Sequence, residues 1–171
     1  MTSATEQTTD DREPRWNARV LTAAGAIGGS APSIAITLGG LAGSYLLGAN
    51  KAFATLPVSF FIAGSAVGAL PAALLMKKLG RRTGFFVGSS CGIIGGLVAG
   101  AAVLAGSFIA FMLALAVAGL AQAFVAQYRF AVADAGSPQF RARAISWTMA
   151  GGLAAAVLGP QSIILTRHLF E

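Results

Sequence analysis

Long uncharged, apolar stretches separated by short basic or small-residue breaks dominate this chain. No charged residue falls between Val20 and Asn50, between Phe53 and Met76, between Gly84 and Tyr128, or between Ala144 and Thr166. A helix over Val20 to Leu47 would be about 42 Å long, more than the roughly 30 Å hydrocarbon core of a bilayer, so it must tilt, kink or project. Pro32, between Ser30 and Ser33, marks the bend. Residues 53–76 form a second span. The 45 residues from Gly84 to Tyr128 would run about 68 Å as one helix, so they must fold into a hairpin. Gly106-Ser107 is its turn, which gives spans over about 85–105 and 108–127. After Gly136-Ser137-Pro138 a fifth span covers about 144–165, and residues 168–171 end the chain on the external side.

Composition agrees. The 171 residues are 56% apolar and 11% charged, against roughly 25% charged for a soluble domain, with a mean hydropathy of +0.73. The expected fold is an all-α integral membrane protein of five transmembrane helices, residues 18–167, in contact with the lipid bilayer. Residues 1–17 are polar, hold four of the six acids and are expected to form a disordered cytoplasmic tail. Ten of the twelve Lys and Arg residues lie in the N-terminal segment up to Arg19 or in the second-to-third and fourth-to-fifth connections. This asymmetry places the N-terminus in the cytoplasm and the C-terminus outside, as in a bacterial inner membrane. The +6 charge is therefore topological, and no aromatic-basic interleaving points to nucleic acid. One cysteine and one histidine leave no basis for a disulfide, a metal or a cofactor. No nucleophile-base pair, phosphate loop or carboxylate dyad marks an enzyme.

The third span carries Gly84, Gly88, Gly92, Gly96 and Gly100, a ladder of glycines every four residues that lets another backbone approach. Packing inside the bundle and association between copies both account for it. Gly39-x-x-x-Gly43 and Gly64-x-x-x-Gly68 repeat the device.

Residues 73–82, Ala-Leu-Leu-Met-Lys-Lys-Leu-Gly-Arg-Arg, form a tight basic turn. Gly80 permits the reversal, and Arg81 and Arg82 can bond helix-end carbonyls, lipid phosphates or a carboxylate. A positive-inside anchor would also account for four positive charges, though not for the Gly-Arg-Arg order. Here the sequence resembles the major facilitator superfamily of secondary transporters, whose second-to-third loop reads Gly-x-Leu-x-Asp-Arg/Lys-x-Gly-Arg/Lys-Arg/Lys. Leu75, Lys78, Gly80, Arg81 and Arg82 match; Ala73 replaces the first glycine, and Lys77 replaces the aspartate of the family's cytoplasmic charge network.

Asp134 and Arg141, with six residues between them, resemble an acid-arginine pair that many members place between spans four and five. At the cytoplasmic mouth Asp134 could meet Arg81, Arg82, Arg141 or Arg143, or stay a solvated charge. Gly159-Pro160 looks like part of the glycine-proline motif of the family's antiporters. The resemblance covers about residues 18–167 as helices one to five of an N-terminal bundle; the family's usual architecture has twelve helices in two bundles, with the substrate between them. By this analogy helices one and four line the cavity. Its polar candidates are Ser30, Ser33, Thr37, Gln122 and Arg129, with Gln122 and Arg129 nearly two turns apart on one face. Two readings follow. One is the N-terminal part of a transporter of an unknown small molecule, partnered by a second bundle or another membrane protein. The other is a non-transporting scaffold or accessory subunit that docks on a larger membrane complex.

Overall fold

The computed structural model describes residues 12–48, 51–128, 130–131 and 138–167, and helices dominate them. Helix α1 covers Arg12–Gly28 and α2 covers Ala31–Leu47. A short 3-10 turn, Lys51–Phe53, leads to α3, Leu56–Leu79. Helix α4, Arg81–Leu104, and α5, Phe108–Val125, form the expected hairpin around Gly106. Helix α6 covers Pro138–Arg167. Four stretches among the described residues are long and apolar enough to cross a membrane: Arg19–Leu47, Leu56–Leu79, Arg81–Leu104 and Phe108–Val125. The 30 residues of α6 would run about 45 Å, and no charge interrupts them between Ala144 and Thr166.

Two boundaries differ from expectation. Residues 12–17 were expected in the disordered tail, but α1 begins at Arg12. Pro14 falls in the first turn, where the N–H groups have no intrahelical partner, so its missing donor costs little. The bend at Pro32 is a break between two helices, α1 and α2, that together make the first span. The ring of Pro32 collides with the carbonyl four residues back and supplies no N–H to it. The chain therefore turns at Gly29-Ser30 and restarts with Pro32 in the first turn of α2.

Glycines set the helix directions. Gly64 of α3 lies against the backbone of Ala116, and Gly68 lies against Leu120, so α3 and α5 run parallel. Gly119 in turn seats on the backbone of Phe61. Gly88 meets Phe124 and Gly95 meets Ala118, so α4 and α5 are antiparallel. Gly151 of α6 rests on Thr22 and Gly159 on Ser33, which makes α6 parallel to the first span. Ala35, Phe61, Ala102, Phe111 and Leu115 form the central apolar cluster. A second cluster, Ala72, Ala123 and Phe124, sits at the basic end, covered by Leu75 and Met76.

Three of the five glycines in the α4 ladder are used for packing. Gly84 is covered by Met76 and Gly88 by Phe124, and a Cβ on Gly92 would lie 3.4 Å from that of Ala121. Gly96 and Gly100 face open space, with nothing within 4 Å of a Cβ there. Packing passes to Gly95 and Ala102 instead. Four residues turn the helix by 400°, so a four-residue ladder drifts about 40° per step, whereas steps of seven (Gly88, Gly95, Ala102) stay nearly in line.

Candidate functional site

The basic turn reaches a distant part of the chain through a hydrogen bond. Gly80 joins α3 to α4 with φ +86°, a conformation that side-chain-bearing residues rarely adopt, and its N–H caps α3 on the Met76 carbonyl at 3.1 Å. That reversal starts α4 at once and points Arg81 across the basic end, where its Nη1 donates to the Ala131 carbonyl at 3.2 Å. Arg81 thus reaches a backbone carbonyl beyond α5. Lys77, Lys78 and Arg82 are exposed, and Leu75 packs under the turn. Asp134 and Arg129 lie outside the described residues, and Arg141 and Arg143 are described only as backbone of α6.

The first span has two distinct faces. One, with Ala24, Ile27, Gly28, Ala31, Ile34 and Ala35, lines an apolar groove of about 1590 Å³, walled by α4 and α5 on its other sides. Gly96 and Gly100 open onto this groove, and so does Gln122. Tyr128 closes part of it, 8% exposed, hydrogen-bonded to Ser89 and edge-on to Phe85 at a centroid distance of 4.7 Å.

The other face is polar. Arg19, Thr22 and Ala26 share one side of α1, and Ser33 and Thr37 share one side of α2, at steps of three and four, with Ser30 in the turn between the two helices. Contacts place both sides toward α6: Thr22 meets Gly151, and Ser33 meets Gly159. The five cavity candidates are therefore not gathered together: Ser30, Ser33 and Thr37 share the α6 side, while Gln122 lines the groove. Helical periodicity within one span was legible in advance, but its rotation relative to a second span was not. Ser30 donates to the Ile27 carbonyl at 2.6 Å and Thr37 to the Ser33 carbonyl at 2.8 Å, so their protons are committed and their oxygens remain acceptors.

At the basic end of this stripe a second cleft, about 450 Å³, separates α1 from α6. Arg19, Thr22 and Trp147 line it together with Ala23, Ala26 and Ala150. Sequence reasoning missed Arg19, Thr22 and Trp147. The three-four spacing that continues the Ser30-Ser33-Thr37 stripe back to Thr22 and Arg19 was the signal available.

Comparison with known proteins agrees with this architecture. The model of the sugar (and other) transporter family matches residues 4–159. The riboflavin transporter RfnT of Brucella anthropi is 46% identical over 159 residues, 93% of this chain and 40% of the transporter. Two uncharacterized transporters of the same superfamily type from Bacillus subtilis, YdeG and YddS, are 34% and 30% identical, each over 80% of this chain and 31% of their own length. The chain thus spans well under half the length of these relatives. No solved structure matches it. The residues matched, the relatives and the all-helical bundle agree: the chain belongs to the sugar (and other) transporter family of the major facilitator superfamily.

Proposed function

We propose that this chain is the substrate-contacting N-terminal part of a membrane transporter whose cargo is riboflavin or a closely related flavin. The observation that carries the reading is the 46% identity to a riboflavin transporter across 93% of the chain. The bundle supports it physically. Spans two and four pair in parallel, and so do spans one and five, as a three-plus-three inverted repeat requires. The operation that relates these two pairs also turns the third span, packed on the fourth, into a sixth helix packed on the first, along the apolar groove. The relatives named are transporters, so no observation favours the scaffold alternative.

The test is a chimera in which this chain replaces the corresponding 40% of the Brucella anthropi transporter. In a riboflavin-auxotrophic bacterial host without its own uptake system, the chimera is expected to restore growth at low riboflavin. A chimera that reaches the membrane at the level of the parent and carries none would sink the flavin reading.

The proposed orientation, N-terminus in the cytoplasm, rests on the ten-to-two distribution of basic residues. Alkaline phosphatase fused after Glu171 is expected to be active and green fluorescent protein there to stay dark. A bright fluorescent fusion would mean an even number of crossings.

A further inference from the structure

The cleft between α1 and α6 is lined mostly by small residues, Ala23, Ala26, Ala150, Gly151 and Ala154, beside Thr22 and two large side chains, Arg19 and Trp147. Trp147 leaves 37% of its surface exposed, and Arg19 presents an exposed guanidinium. A tryptophan near a membrane-water border ordinarily anchors a helix by facing the lipid headgroups. This one instead lines a cleft that it shares with a cation.

A third feature points to a ligand. The Thr22 Oγ1 is shielded from water and has no hydrogen-bond partner, the one such side-chain atom found among the described residues. Buried hydroxyls are as a rule paired, so this oxygen holds an unused capacity beside the cleft that Thr22 lines.

We infer that this cleft receives the planar heteroaromatic ring of the cargo, stacked on Trp147, with Arg19 donating to the ring's carbonyl edge and Thr22 completing the hydrogen bonding. The inference rests on the flavin reading above and names the contact surface for it. Indole and guanidinium planes both favour a flat conjugated partner, and the guanidinium adds donors where such a ring carries acceptors. Beyond the cleft the stripe is closed where Ser33 packs against Gly159 of α6, so the cleft holds the ring of the cargo and not its polyol.

Two measurements test this. The chain holds two tryptophans, so Trp16→Phe leaves Trp147 as the sole reporter. In lipid nanodiscs its fluorescence lifetime is expected to fall saturably with riboflavin and with lumiflavin, the same ring with a methyl group in place of the polyol, and to ignore ribitol. Arg19→Gln should weaken the titration at least fivefold. In the uptake chimera, Trp147→Ala should raise KM at least tenfold at equal membrane abundance, while Trp147→Phe, which keeps a stacking ring, should stay within threefold. Absence of saturable quenching by both ring compounds overturns the inference. So does a riboflavin-carrying chimera whose KM is indifferent to Arg19→Gln and Trp147→Ala, and that outcome leaves the flavin reading standing. An unsubstituted chimera that carries no riboflavin overturns the flavin reading and, with it, the identity of the ring.

Discussion

Gly64→Leu is expected to abolish the folded bundle, and Gly119→Leu to do the same. Gly64 and Gly119 hold α3 and α5 in backbone-to-backbone contact, with a Cβ at either position driven into a carbonyl of the facing helix, Ala116 or Phe61. Overpacking a core by one or two methylenes costs about 1–3 kcal/mol when side chains can yield, and here the obstacle is main chain that cannot rotate away. Even Gly64→Ala should therefore lie near the upper part of that range. The control is Gly96→Leu, at the same kind of position in sequence but facing open space, which should unfold at the parental denaturant concentration. Circular dichroism and gel mobility through an SDS titration in mild detergent separate the two cases. Equal stability of Gly64→Leu and Gly96→Leu would show that α3 and α5 are not in contact at all.

The second large effect concerns activity. The 171-residue chain reconstituted alone in liposomes is expected to show no saturable riboflavin flux above empty vesicles, a loss of the whole signal relative to the chimera. Alternating access rocks two bundles about a site between them, and the described helices supply one wall of it. Oligomeric state should be read first by mass photometry. Saturable flux from the chain alone would show that two copies close a working cavity, and would replace the two-bundle requirement with a homodimer.

Much of this fold was legible from uncharged runs and their lengths, because a bilayer leaves few ways to satisfy a backbone. The hairpin at Gly106 followed from a small-residue pair where an over-long apolar run had to turn, and the reversal at Gly80 from a glycine inside the basic break between two apolar runs. The faces were less legible. The glycine ladder reads as one contact surface, yet the surface leaves it after Gly92 and continues through Gly95, because periodicity fixes directions around one helix axis and not where the neighbouring axis lies. For the same reason Gln122 joined the hydroxyls of the first span in the sequence-based grouping while the structure sets it on the groove. Trp147 carried no signal until α6 was seen lying parallel to α1 with the tryptophan beside Arg19.

The seam between α1 and α6 also governs the order in which the molecule is made. Its partners, Thr22 with Gly151 and Ser33 with Gly159, are about 126 to 129 residues apart in sequence, whereas the α4–α5 hairpin pairs neighbours. As the polypeptide leaves the ribosome, α3, α4 and α5 can find each other at once, while the first span waits with its polar stripe uncovered until α6 has entered the bilayer. Long-range pairing of this kind is slow and leaves intermediates exposed. Nascent chains arrested before residue 138 should therefore hold the first span accessible to cross-linking by the insertion machinery, and a weakened α6 should mark the protein for quality-control proteolysis even when the α3–α5 core is sound.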